Sequence, residues 1–283
     1  MNPAVSAGGR RGLWVSFWLL SIFLYAPIVI LIVFSFNDRE LVSFPWQGFT
    51  VRWYREFVSN PTLVDALKVS MVVALLAAVL TTLLAIPASI ALVRRRFFAK
   101  PLVSGMLLAP LVIPLVVFGT ALLILFNLIS VVPFGPFTVA IGHVVISVPF
   151  AILTMVPRLE RIPIALEEAA RDLGASLWTT FRTITLPLLA PAVLSAFLIS
   201  FTISFDEVVV VSFIAGDTTT FPLYLYSQLR LPRSLPQVIA VAVVVLVASV
   251  TVIAASEIGR RISDRKLEGD TAVFDDDEEV VVA

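Results

Sequence analysis

Asp206 and Glu207 are adjacent carboxylates inside an otherwise apolar run that extends from Leu188 to about Ile214. An ionisable side chain at the centre of a membrane helix costs about 2.5–3.5 kcal/mol, so such residues usually face a cavity or a partner. Asp206 lies 19 residues beyond Pro187, which a straight helix converts to ~29 Å, the outer part of a bilayer. Neighbouring helix positions differ by about 100°, so at most one of the pair points straight into a pathway. Carboxylates beside a pore lower the entry barrier of a polycation by Coulomb attraction. Solvation at the outer interface, or a bridge to a neighbouring subunit, is the competing reading.

Other chemistries fall away on residue type. The chain has no cysteine, hence no disulfide, thiolate metal site or cysteine nucleophile. Its single histidine, His143, is one short of an HExxH zinc site. None of its lysines, Lys68, Lys100 and Lys266, follows a glycine, so there is no GK[ST] phosphate loop. No metal or cofactor is expected. His143 reads as a packed core residue with a hydrogen-bond partner, the other option being a proton relay. A serine–histidine enzyme within the membrane would have to use it, and no nucleophile motif accompanies it.

The segment of about thirty residues from Pro157 to Pro187 carries the most organised polar pattern. Ile164, Leu166, Ala169, Ala170 and Leu173 recur at near-helical spacing, with Glu167, Glu168, Arg171 and Asp172 on the remaining face. Gly174 suits a helix C-cap or a tight turn. A second short amphipathic stretch follows, with Leu177, Trp178, Phe181 and Ile184, before Leu186-Pro187. The pattern predicts a helix–turn–helix knob, small-faced at Ala169 and Ala170. Such a knob suits a groove on a partner, and periodicity alone equally supports a helix resting on lipid headgroups.

The elements around these residues must be membrane helices. The 283 residues are 59% apolar and 14% charged, with mean hydropathy +1.01, against roughly 25% charged in soluble domains. Six stretches are long enough to span: Trp14–Phe36, Val64–Val93, Leu102–Leu128, Phe137–Val156, Leu188–Ile214 and Val238–Ala255. The first is too long for a signal-peptide core and is followed by no A-x-A site, so it reads as an uncleaved anchor. Arg10, Arg11, Arg94, Arg95, Arg96, Lys100, Arg158, Arg161, Arg171, Arg182, Arg260, Arg261, Arg265 and Lys266 fall on one side. Only Arg39, Arg52, Arg55, Lys68, Arg230 and Arg233 fall on the other. Both termini are therefore expected in the cytoplasm. Pro110, Pro114, Pro149, Pro187 and Pro191 free backbone carbonyls that suit helices packed on protein or lining a cavity, although membrane helices also tolerate proline. Residues 1–13 and an acidic, disordered tail over 264–283 flank a single domain over 14–263.

Glu168-Ala169-Ala170, three residues, Gly174, nine residues, Ile184, one residue, Leu186-Pro187 resembles the complete EAA motif of type I ABC importer permeases. The resemblance implies an all-α, six-helix permease in a bacterial inner membrane that performs no catalysis. Its loop, residues 157–187, would be the coupling helix docked on a separate ATPase dimer, which binds the ATP and magnesium. Glu168 would pair with a basic residue of that ATPase, Ala169 and Ala170 would allow close approach, and Gly174 would form the corner. Glu167, Asp172, Ile184, Leu186 and Pro187 belong to the same coupling set. Longer segments, LYAPIVILIVFSFN from Leu24, WQGFTVRWY from Trp46, RRRFFAKPLVSGML from Arg94 and SFDEVVVVSFIAG from Ser204, are similar to spermidine/putrescine importer permeases. Those relatives imply a second permease, a heterodimer rather than a homodimer, and an extracytoplasmic binding protein. The last outer loop, with Pro222, Tyr224, Tyr226 and Arg230, is the candidate contact for that protein. The aromatic segment Asn37–Asn60 reads as an interfacial lid, with binding-protein contact as the alternative. Asn37 and Asn127 read as end caps of spans. Aminoethylphosphonate, opine or iron import are the alternative cargoes. An ion-coupled transporter would show inverted repeats and several midplane carboxylates, neither of which is evident.

Overall fold

The computed structural model describes residues 7–129, 133–231 and 234–251. Arg233, the basic residues from Arg260, the end of the sixth span at Ala255 and the acidic tail lie outside them. The described residues are helical apart from short connections and one isolated bridge between Asn37 and Phe49. They fall into two compact units, Asn60–Arg230 and the flanking residues up to Ser59 together with those from Leu231.

The flanking unit holds α1 (Ala7–Phe34), α2 (Arg52–Ser59) and α12 (Leu235–Thr251). From Gly12 onward α1 is long and apolar enough to cross a bilayer, and its large side chains, including Trp18, Phe23 and Leu24, are exposed. An apolar all-round surface is what a helix bathed in lipid needs. Asn37 closes α1 through its backbone, whose N–H bonds the Phe34 carbonyl (3.1 Å), and not through its side chain. Its Oδ1 accepts the Gln47 N–H (3.1 Å) and its carbonyl accepts the buried Trp53 indole N–H (2.9 Å). Three residues past the helix end, its amide is better placed to hold the returning loop than to reach α1 carbonyls. Ser35 and Tyr54 share a 2.7 Å hydrogen bond, and Phe36 stacks on Phe49. Within the aromatic lid, then, Trp53 is a clasp residue and Phe44, Trp46 and Phe49 are exposed.

The second unit is built on three helices, α3 (Pro61–Arg94), α6 (Pro136–Glu160) and α9 (Leu186–Asp206), which pack on one another. The packed face of α3 is a row of small residues: Ala66, Ser70, Ala74, Ala77, Ala78, Thr81, Ala85 and Ser89. Buried small residues also line α6 (Ala140, Ser147 and Ala151) and α9 (Ala192, Ala196, Ser200 and Ser204), and Gly142 of α6 lies against Ile214, Leu122 and Val210. Lipid tails are as apolar as leucine, so membrane helices associate through close van der Waals packing, which small side chains permit. A Cβ added at Gly142 would meet the Ile214 Cδ1 at 2.6 Å.

The third expected span is not one helix. α4 (Lys100–Leu108) runs into a 3₁₀ turn, Ala109–Leu111, and α5 (Leu115–Ile129) leaves at 105° to it. Pro110 lies in the turn and Pro114 in the break. Without an N–H neither can continue the α-helical ladder, and each ring crowds the preceding turn. Among the described residues four helices are long and apolar enough to cross a membrane, five if this bent pair counts as one, with α12 a shorter apolar helix in the place of the sixth. Asn127, expected as a cap, sits inside α5 and donates to the Leu123 carbonyl one turn back (2.9 Å).

Candidate coupling site

Past Glu160 the chain turns at residues 161–163 and enters α7 (Ile164–Asp172). Glu167 in its first turn and Arg171 in its last complement the helix dipole. The C-terminus closes as a full Schellman motif: Ala175 N–H bonds the Ala170 carbonyl (3.0 Å) and Gly174 N–H the Arg171 carbonyl (2.9 Å). Gly174 has φ +87°, the left-handed region that disfavours side chains. The expected corner is therefore present, and its residue type has a backbone cause.

Ser176 caps the next helix by accepting the Thr179 N–H (3.1 Å). α8 (Leu177–Thr180) passes through a π-helical turn, Phe181–Thr185, directly into α9. The second arm of the knob and the fifth span are thus one rod of 30 residues, Leu177–Asp206, about 45 Å long at 1.5 Å per residue. A displacement at the Gly174 corner has a continuous helix along which to travel into the membrane core. π-turns inside helices recur at functional positions because they leave the backbone ladder locally reorganised.

The coupling residues divide between two faces. Glu168, Ala169, Asp172, Gly174 and Pro187 are exposed, whereas Glu167, Ala170, Ile184 and Leu186 are half-buried. Leu173 is 90% exposed, and Leu177 and Trp178 flank it on the far side of the corner, also exposed. Apolar side chains grouped at an exposed tip, rimmed by carboxylates, mark a surface that meets another protein or a membrane. Behind the tip lies a cleft of about 270 Å³ lined by Ile90, Arg94, Arg95, Ile164, Glu167, Arg171, Leu177, Thr180, Phe181 and Thr185. Arg94 at the end of α3 reaches across it to Glu167 at 3.1 Å, and both side chains are largely shielded.

At the opposite end of the unit, Asp206 and Glu207 part company. α9 ends at Asp206, which is exposed. Glu207 turns inward, 8% exposed, and its carboxylate accepts the N–H groups of Val209 (2.9 Å), Val210 (3.0 Å) and Val211 (3.1 Å) ahead of α10 (Val211–Ile214). Beside it stands His143, bonded through Nδ1 to the Ser204 hydroxyl at 2.6 Å, the partner expected of a packed histidine. Nothing in the sequence signals that α6 delivers His143 to this point. In α11 (Phe221–Gln228), Pro222 and Tyr224 are half-buried while Tyr226, with Arg230 just beyond, is exposed. The Tyr224 hydroxyl accepts from the Asn60 side-chain amide (3.3 Å), and Phe221 N–H bonds the buried Ser70 hydroxyl (2.8 Å).

Comparison with known proteins agrees with this architecture. The chain is 39% identical over 250 residues to the spermidine/putrescine transport system permease protein PotC of Escherichia coli (strain K12), covering 88% of this chain and 92% of that protein. It is 35% identical over 231 residues to the putrescine transport system permease protein PotI of the same strain, covering 79% and 82%. The fold is that of a bacterial ABC transporter crystal structure involved in import of the acidic polysaccharide alginate, with TM-score 0.71, 18% identity and coverage of 90% and 99%. Residues 82–268 match the family described as binding-protein-dependent transport system inner membrane component. The chain belongs to that family: it is the inner-membrane permease component of an ABC importer.

Proposed function

We propose that this permease carries polyamines, spermidine and putrescine, across the inner membrane by alternating access. It pairs with a second, non-identical permease, receives cargo from an extracytoplasmic binding protein and is driven by a separate ATPase dimer that holds the ATP and magnesium. Both termini lie in the cytoplasm, as the arginine bias of the loops argues. The chain itself supplies no catalytic residue.

The observation that carries the reading is the exposed tip of α7. Glu168, Ala169 and Asp172 face solvent beside Leu173, Leu177 and Trp178, on a glycine corner continuous with a core helix. That arrangement is a docking knob attached to a lever. Cargo rests on the polyamine names of relatives at 39% and 35% identity and on the exposed Asp206 at the outer end of α9. An exposed carboxylate there attracts a polycation.

Reconstitution of the importer in liposomes with ATP inside tests it. Radiolabelled spermidine enters and excess putrescine competes, whereas aminoethylphosphonate, an opine or ferric iron do not. Uptake of one of those three with spermidine excluded replaces the cargo and leaves the permease assignment standing.

A further inference from the structure

Glu167 stands beside Glu168 in sequence and does something different in space. Its Oε1 receives the Arg94 Nε–H at 3.1 Å and the Thr185 hydroxyl at 3.3 Å. Arg94 uses Nη2 at the same time to donate to the Ile162 carbonyl at 2.9 Å. The two side chains are 12% and 15% exposed. One carboxylate oxygen therefore ties together the cytoplasmic end of α3, the first turn of α7 and the π-turn at the root of α9.

The mechanical consequence follows from how α7 is otherwise attached. Single turns of chain, residues 161–163 and the Gly174 corner, join it to α6 and α8. Turns bend under load, so a push on α7 alone would be absorbed there. A charge-assisted bond shielded from water is stiffer than an exposed pair, whose attraction is screened and whose side chains are free to move. Glu167 points its Oε1 inward, where Arg94 and Thr185 both donate to it, so this carboxylate is turned toward α3 and the root of α9.

We propose that Arg94 is a positioning residue of the transport cycle: through Glu167 it makes α7 and α3 move as one body, so that motion of the docked ATPase reaches the packed core through α3 as well as through α9. The inference rests on α7 being the docking helix. It assigns Glu167 inward and leaves Glu168 to the partner.

The whole importer, reconstituted with its ATPase and binding protein, gives the test. Arg94→Gln lowers spermidine taken up per ATP hydrolysed about tenfold, while the ATPase subunit stays bound through purification. Arg94→Glu and Glu167→Arg are each as poor, and the double exchange recovers most of the ratio, a rescue that a residue needed only for folding does not show. A readout independent of cargo uses the absence of cysteine from this chain, with any cysteines of the other subunits replaced by serine. Spin labels at Ala165→Cys on α7 and Ala91→Cys on α3 keep one separation in the nucleotide-free and ATP-trapped states, and lose that constancy when Arg94→Gln is added. An unchanged uptake ratio in Arg94→Gln, a double exchange no better than the singles, or label separations indifferent to Arg94 overturns the brace. Glu168→Lys run in parallel separates the two ideas: its retention of the ATPase strikes the docking reading, and the Arg94 series strikes only the brace.

Discussion

Nε2 of His143 lies 3.7 Å from Oε2 of Glu207, with both side chains shielded from solvent. Through Nδ1 the same imidazole holds Ser204 on α9, while its buried Nε2 has no hydrogen-bond partner and only approaches the carboxylate past the break where α9 ends. The carboxylate meanwhile caps three consecutive backbone N–H groups. Buried donors left without acceptors cost about 1–3 kcal/mol each, which explains why a carboxylate is kept at this depth.

Glu207→Ala therefore lowers the stability of the purified permease by about 3 kcal/mol or more, since the α10 turn loses its acceptors. Asp206→Asn leaves stability unchanged because that side chain is exposed, yet it reduces spermidine uptake. Thermal unfolding in detergent and an uptake assay on the same preparations distinguish the two residues. Equal stability loss in both would contradict the division.

Gly174→Ala places a side chain at φ +87°, where nothing crowds the new Cβ and the cost is purely backbone, about 1–2 kcal/mol. The chain still folds, because the corner is exposed, but the angle between α7 and α8 relaxes. The expected result is weaker ATPase binding with the melting temperature of the isolated permease lowered by only about 2–8 °C. Gly174→Asn, which tolerates the left-handed region better, is milder.

The small-residue row on α3 makes a stability prediction. Ala78 is fully buried and Val79 beside it is 43% exposed. Ala78→Leu overpacks the interface with α6 and α9 and costs about 1–3 kcal/mol. Val79→Leu is neutral. Thermal melts of the two variants check this.

The coupling corner was legible in the sequence because its causes are local. A glycine in the left-handed region, a serine cap at Ser176 and apolar residues at helical spacing each leave a mark within ten positions. Less local features were not. Arg94 and Glu167 are 73 residues apart, and nothing local in the sequence pairs them. Glu167 was grouped with the outward coupling residues because α7 periodicity does not say which polar side chain will be met by α3. The continuity of α8 with α9 was hidden by the amphipathic Leu177–Ile184 stretch, which reads as a separate helix, and a π-turn has no compositional signature. Pro110 and Pro114 are visible in the third span, but proline in a sequence does not state the 105° angle at which α5 leaves α4. The row Ala192, Ala196, Ser200, Ser204 is visible at a strict spacing of four, and its meaning emerges only once the facing small residues of α3 are placed against it.

The outer loop separates contact from support. Tyr226 and Arg230 are exposed, so Tyr226→Ala and Arg230→Ala weaken capture of the loaded binding protein without a stability cost. Tyr224→Phe removes the acceptor of the Asn60 amide, costs about 1 kcal/mol of stability and leaves capture unchanged. Surface plasmon resonance on the intact importer measures the first effect and thermal unfolding the second.

Glu168 offers the most direct measurement. The importer is purified through a tag on this chain, once with the native residue and once as Glu168→Lys, and the ATPase subunit in each preparation is quantified. Retention in the native complex and its loss in the variant, with the permease still folded, is the predicted result. ATPase retention and ATP-driven uptake that survive Glu168→Lys would contradict the assignment of α7 as the point at which the motor takes hold.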